Sequence, residues 1–239
     1  LQKVMCGVVA YYSEKPDSSD IKNINNLIQQ SKIRGLHSFG ISYLNDNKIK
    51  TQKTNDIQDL KIPETNLLIF HNRYTTSGDY KKPINNQPLE LNETYLAFNG
   101  VIDMGTKKEM EAKHKLTMKS SNDGELFLHY LKNKNAESII NDLKCSFAGA
   151  YIKNNKIYCI RNNYRPLWVV VQNKSVYLSS TADIFKRAGF NNYKPVITNK
   201  NIELKEFLYE KGRIQEISYP NDAKWGYRSS IQLPTLHSS

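Results

Sequence analysis

Apolar residues in this chain come only in short runs, and that sets the class of fold it can adopt. The runs at 4–12, 39–44, 67–71 and 147–153 are each of strand length. None approaches the roughly 18 apolar residues that a membrane span needs. Further strand patterns cover 95–98, 156–161, 167–172 and 175–180, and the turn Asn45-Asp46-Asn47 pairs 39–44 with 48–51 as a hairpin. Asn99-Gly100 reads as the turn that stops the strand at 95–98. Helical spacing is confined to a few segments. Ile21, Ile24, Leu27, Ile28 and Ile33 follow the capping residues Asp17-Ser18-Ser19-Asp20 and precede Gly35. The other helical segments are 123–131, 136–143 and 182–188, the last closed by Gly189. The polar stretch around Gly78, Pro83 and Pro88 reads as an ordered loop. Strands at both ends of the sequence with helices between them predict a layered α+β domain.

The chain is long enough for a sizeable core: 239 residues, 39% hydrophobic, with 15 Tyr and 8 Phe. No repeat or strong linker divides it. One domain is expected over 5–215, with 216–239 as a polar C-terminal extension, an arm or a disordered segment. The net charge of +11 is carried by scattered lysines rather than a dense basic run. A solvated basic surface is the simpler reading; association with an acidic partner or with nucleic acid is the alternative that charge alone allows. Three cysteines, Cys6, Cys145 and Cys159, have no metal-ligand spacing, and an odd count leaves at least one free. With no signal-peptide pattern, this points to a reducing, cytoplasmic setting and no membrane anchor. Cys145 and Cys159 read as packing residues. No metal and no cofactor are expected, because there is no P-loop and no dinucleotide fingerprint.

Cys6 stands apart because of where it lies. In Met5-Cys6-Gly7-Val8-Val9-Ala10-Tyr11 a thiol sits one bond from becoming an N-terminal residue. A freed Cys6 carries a nucleophile and, in its own α-amine, a base that titrates near neutrality. Taken alone, the dipeptide reads more simply as a small buried cysteine in a first strand.

Four further motifs change that reading. They are Arg34-Gly35-Leu36-His37-Ser38-Phe39-Gly40, the run from His71-Asn72-Arg73-Tyr74 to Thr75-Thr76-Ser77-Gly78, Phe98-Asn99-Gly100-Val101-Ile102, and Asn122-Asp123-Gly124-Glu125. With Met5-Cys6-Gly7-Val8-Val9, and with Gly149-Ala150-Tyr151 and Arg165-Pro166-Leu167 behind them, they occur in family order at family-like separations. In these motifs the chain resembles the glutaminase domain of class II glutamine amidotransferases, up to about Phe190. The resemblance implies a four-layer αββα sandwich of the N-terminal nucleophile hydrolase type, with antiparallel sheets. It also implies hydrolysis of the glutamine side-chain amide to glutamate and ammonia through a Cys6 thioester.

Each motif then has an implied role. Cys6 attacks the amide carbon, and its freed amine shuttles the proton to departing ammonia. The Asn99 side chain and the Gly100 N–H receive the oxyanion. Arg73 grips the glutamine α-carboxylate, and Asp123 pairs with its α-ammonium. Thr75 and Thr76 shape the binding loop, and Arg34 supports the nucleophile. Each has a plainer counterpart: a hairpin turn for Asn99-Gly100, a strand-end surface charge for Arg73, a helix-terminal acid for Asp123 and a helix-end charge for Arg34. His71 invites a cysteine–histidine dyad, but its four apolar predecessors favour a hydrogen-bonded core histidine. Three positions depart from the family: His37 replaces a common acid, Phe98 follows the asparagine-synthetase branch, and Thr181 stands where glutamate is frequent.

No pyrophosphatase loop, sugar-isomerase segment or phosphoribosyl-binding segment follows. A separate ammonia-using synthase or amidoligase is therefore the expected partner. The alternatives are a catalytically silent glutaminase-like binding protein, favoured if residues 1–5 stay attached, and a basic nucleic-acid-associated protein.

Overall fold

A computed structural model describes residues 6–74, 79–143 and 145–209. Every strand expected from the sequence forms. The first part of the chain contributes β1 (Gly7–Ser13), α1 (Ser18–Ser31), β2 (Ser38–Asn45), β3 (Lys48–Thr54) and β4 (Leu67–Arg73). The middle adds β5 (Leu89–Leu91), β6 (Thr94–Val101), α2 (Lys107–His114), α3 (Gly124–Tyr130) and α4 (Ala136–Asp142). Then come β7 (Ser146–Lys153), β8 (Lys156–Arg161), β9 (Trp168–Gln172), β10 (Ser175–Ser179) and α5 (Ala182–Arg187). The short strands β11 (Lys194–Pro195) and β12 (Ile202–Glu203) follow. The sequence pattern missed β5, β11, β12 and α2. The three strands are two or three residues long, too short for a period to be read, and α2 buries only Met110.

The capping prediction holds in detail. Asp17 accepts from the Ser19 and Asp20 N–H groups at 2.8 and 3.1 Å, and Asp20 returns the bond to Asp17 N–H at 3.1 Å. That closes a capping box. Ile24, Leu27 and Ile28 of α1 are then buried against Tyr11 and Phe70. Ile33 does not extend this stripe. It lies in a 3-10 turn at Lys32–Arg34 beyond the end of α1 and is 42% exposed.

All strand pairs are antiparallel and form two sheets. One has the order β11-β9-β10-β1-β4-β2-β3, the other β12-β8-β7-β6-β5. Side-chain alternation sorts the core into three layers. Val8, Ala10, Leu67 and Ile69 from the first sheet meet Ala97, Ala148, Ala150 and Cys159 from the second in a central layer. On the outside, α1 and α5 cover the first sheet through Ile28 and Phe185, and α3 and α4 cover the second through Phe127 and Ile140. The result is the expected four-layer αββα sandwich. Cys145 and Cys159 are buried in it as packing residues, with thiols pushed well up by burial.

A turn expected from the sequence also fails to form. Asn99-Gly100 is not a turn, because β6 runs through both residues to Val101, with Asn99 opposite Ala148 and Gly100 opposite Phe147. The cross-strand partners in β7 override the local turn preference of the dipeptide.

Candidate active site

Strand register decides which side chains meet. β1 pairs with β4 so that Gly7 faces Asn72 and Val8 faces His71, which brings Cys6, one residue earlier, to the level of Arg73. Val8, His71 and Arg73 fall on the face that carries the central layer, as does Asn99, two residues beyond Ala97 on β6. Cys6, Arg73 and Asn99 are thus collected at one end of the space between the sheets.

Two glycines make the approach possible. A Cβ on Gly7 would lie 2.1 Å from Asn72 Oδ1 and 3.2 Å from Arg34 Cβ. Asn72 is itself pinned, its Nδ2 donating to the carbonyls of Ser31 and Gly35 at 2.9 and 2.8 Å. This anchors the end of α1 and brings Arg34 against the Cys6-Gly7 backbone. On β6, a Cβ on Gly100 would lie 1.9 Å from the Ser146 carbonyl oxygen, and its φ of +156° is one that side-chain-bearing residues rarely adopt.

The ladder arranges the two residues expected to receive the oxyanion. Phe147 exchanges both its backbone groups with Asn162, on the side of β7 away from β6. Gly100, opposite Phe147, is therefore in a non-hydrogen-bonded pair, and its N–H faces the other edge of β6. On that edge Phe98 N–H donates to Gln87 Oε1 at 2.7 Å. The Asn99 side chain is 4% exposed, and its Nδ2 has no hydrogen-bond partner among the described residues. A buried amide donor without an acceptor is costly, and such groups collect at functional sites.

Arg73 is almost fully buried and is held from behind. One terminal nitrogen donates to the Asn85 carbonyl at 3.0 Å and to Asn86 Oδ1 at 2.7 Å. The same Asn85 fastens the next motif: its Oδ1 accepts Ser121 N–H at 2.9 Å, and its carbonyl accepts Asn122 Nδ2 at 3.0 Å. Asp123 follows directly and lies within electrostatic reach of Arg73. It does not cap α3. Its Oδ2 accepts from Ile102 N–H at 2.8 Å and Asp103 N–H at 3.3 Å, at the exit of β6. Burial pushes its carboxyl up to about 6, against those two donors and the Gly124 N–H. Asn85, Asn86 and Gln87 were not found by sequence reasoning; a polar run between Pro83 and Pro88 gives no hint of the arginine and strand it holds.

Cys6 is partly open to solvent as a residue, yet its sulfur is enclosed. Burial raises the thiol above its usual range, while the Tyr74 carbonyl, 3.7 Å from Sγ, and the charges of Arg73, Arg34 and Arg165 pull it down. Burial dominates, so the thiol is protonated and needs a base. His71 is not one. Burial and then Arg73 push its imidazole down to about 3, and its ring lies against the Phe98 backbone rather than toward a thiolate. His71 is buried, as expected of a core histidine, with the Phe98 backbone as a hydrogen-bonding neighbour.

Arg34 is half-buried, and burial lowers its basicity while Cys6 raises it. Its Nε and one terminal nitrogen have no partner among the described residues. His37, the departure from the family pattern, is stacked between Tyr74 and Tyr80 at 5.1 Å from each. Thr75 and Thr76, residues 1–5 and the extension from 216 lie outside the described residues. No group of side chains that could hold a metal ion, and no helix long and apolar enough to cross a membrane, occurs among the described residues.

Comparison with known proteins agrees with the motifs. Residues 71–187, just under half of the chain, match the family model described as a glutamine amidotransferase domain. The glutamine phosphoribosylpyrophosphate (PRPP) amidotransferase from B. subtilis, complexed with ADP and GMP, matches 81% of this chain with a TM-score of 0.63 and 21% identity. The allosteric regulatory enzyme of purine biosynthesis matches with the same three values. This chain spans 46% and 45% of those two chains, a little under half their length. At such identity the likeness is one of fold, the N-terminal nucleophile hydrolase sandwich of two antiparallel sheets. No curated protein matches the sequence.

Proposed function

We propose that this chain, whose residues 71–187 match the glutamine amidotransferase domain model, hydrolyses the side-chain amide of glutamine and delivers the ammonia to a synthase. The observation that carries the reading is the convergence of Cys6, Arg73 and Asn99 at one end of the inter-sheet space, with Asn99 Nδ2 buried and unpartnered. Arg73 and Asp123 present opposite charges for the α-carboxylate and α-ammonium of a free amino acid. The glutaminase domain takes in residues 5–215, and 216–239 form an extension.

The reaction follows from those positions. Glutamine is held by its head group, and its side-chain carbonyl points between Asn99 and the Gly100 N–H. The Cys6 sulfur adds to the amide carbon as its proton passes to the α-amine. The tetrahedral oxyanion is taken up by the two donors, each typically worth on the order of 10²–10³ in turnover. The amine then protonates the leaving nitrogen, the C–N bond breaks, and ammonia departs from a thioester. Water, deprotonated by the same amine, releases glutamate. The raised thiol supports this scheme, since the nucleophile depends on an adjacent base and His71 is unable to serve.

The scheme requires the bond between Met5 and Cys6 to be cut, because an acylated amine is no base. The ammonia goes to an amidoligase or synthase outside the described residues, which we take to be a separate cytoplasmic protein. Ammonia freed into neutral water is mostly ammonium and no nucleophile, so direct transfer is needed. The N-terminal mass of the purified protein, measured beside glutamate release, tests the reading. Mature Cys6 with glutaminase activity, abolished in Cys6→Ala without loss of fold, is expected. Mature Cys6 with no glutamate release, even with candidate synthases added, overturns it.

A further inference from the structure

Arg165 has no role in the scheme above, yet it is 4% exposed and tied to the oxyanion strand. Its Nε donates to Ser146 Oγ at 3.2 Å, and the same oxygen accepts Val101 N–H at 3.1 Å. Ser146 also provides the carbonyl that fills the space where Gly100 lacks a side chain. One serine therefore fixes both the residue after Gly100 and the close approach at Gly100 itself, and Arg165 holds that serine. The arginine is in turn held: its N–H donates to the Asn162 carbonyl at 3.4 Å, and its carbonyl accepts from Arg161 at 3.2 Å. Arg161, fully buried, lies opposite Ala148, which lies opposite Asn99. A row of buried polar contacts thus runs behind the oxyanion donors. The Arg165 charge also acts on Cys6 and on Arg34.

We propose that Arg165 is a positioning residue of the Cys6 site, aligning the Asn99–Gly100 donors through Ser146 and keeping a fixed positive charge within electrostatic reach of the nucleophile. Its effect on turnover rests on the glutaminase reading; its effect on the thiol does not, so the two fail separately. Arginine suits both tasks: its planar guanidinium aims one N–H at the serine, and its charge persists at every working pH.

The test uses the whole protein and two readouts, glutaminase kinetics and the pH profile of Cys6 alkylation by iodoacetamide, with Cys6→Ala as the blank. Arg165→Met is expected to move the alkylation profile to higher pH, lowering the rate several-fold near about pH 8, because a neighbouring cation favours the thiolate. Ser146→Ala keeps the charge and removes the brace. It should leave the alkylation profile in place and lower kcat on the order of 10- to 100-fold, as small misplacements of catalytic groups do. KM should move little in Ser146→Ala, since the Ser146 hydroxyl acts on Val101 of the oxyanion strand. Wild-type turnover in Ser146→Ala, or a wild-type alkylation profile in Arg165→Met, overturns the proposal. If Arg165→Met does not fold, Arg165→Lys decides: lowered kcat with an unmoved profile supports it, and unchanged kcat overturns it. A wild-type protein without glutaminase activity refutes the glutaminase reading alone, and the alkylation comparison still stands.

Discussion

Asn99→Ala separates a catalytic amide from a structural one. In most cores, deleting a buried asparagine breaks hydrogen bonds and costs stability. Here Nδ2 has no partner among the described residues, so its removal breaks no donor bond and relieves a burial penalty of about 1–3 kcal/mol. Against that stands the lost packing of three side-chain atoms, a cost of similar size. The net change in unfolding free energy should therefore stay within about 1 kcal/mol. At roughly 2–4 °C per kcal/mol for a protein of this length, the thermal midpoint should shift by no more than about 4 °C. Activity should respond differently. Loss of one oxyanion donor is expected to lower kcat on the order of 10²–10³-fold, about 2.7–4 kcal/mol of transition-state stabilisation. Calorimetry of the variant beside steady-state glutaminase kinetics reads both quantities on one sample. A midpoint lowered by about 10 °C or more with kcat unchanged would mean that Asn99 serves the fold, and the oxyanion assignment would be wrong.

Three further outcomes follow from the same geometry. Arg73→Lys keeps the charge but has no planar fork to bond Asn85, Asn86 and a carboxylate together; a lost charged hydrogen bond of about 1.5–3 kcal/mol predicts a KM for glutamine raised about 10- to 100-fold, and an unchanged KM refutes the role. Because burial lifts the Asp123 carboxyl to about 6, its charge is present above that pH and lost below it; kcat/KM should fall through an acid limb near 6, and Asp123→Asn should lower kcat/KM and remove that limb. Gly7→Ala places a methyl 2.1 Å from an Asn72 oxygen that two hydrogen bonds hold in place, so stability should drop by about 1–3 kcal/mol, seen as a melting point lowered by on the order of 3–10 °C.

The gathering of side chains explains why the motifs are spread so widely along the chain. Cys6 precedes β1, Arg73 ends β4 and Asn99 lies in β6, and only antiparallel register at one end of two facing sheets makes them neighbours. The segment between Pro83 and Pro88 then links two of the motifs, since Asn85 touches Arg73 on one side and the Ser121-Asn122 loop on the other. Substitutions at Asn85 or Asn86 act through Arg73, although neither residue belongs to a motif.

Much of this was legible in the amino-acid sequence, because local rules govern it. Strand-length apolar runs, the Asp17–Asp20 box and Gly189 mark elements whose formation depends on nearby residues, and those elements form. The order of the motifs predicted the two-sheet sandwich that forms. Other features answer only to distant residues. Asn99-Gly100 has the composition of a turn but is strand, because β7 supplies a partner for each residue. Asp123 has the placement of a cap but bonds the exit of β6, because that exit is brought to it. Ile33 has helical spacing but is exposed, because α1 has already ended. The brace of Arg165 on Ser146 joins residues 19 apart in sequence by a side-chain bond that no periodicity encodes. Sequence by itself thus determined most of the elements, the fold class and the candidate reactive groups. Only the tertiary structure decided their register, their burial and the partners that hold them, since each of these depends on contacts between segments far apart in the chain.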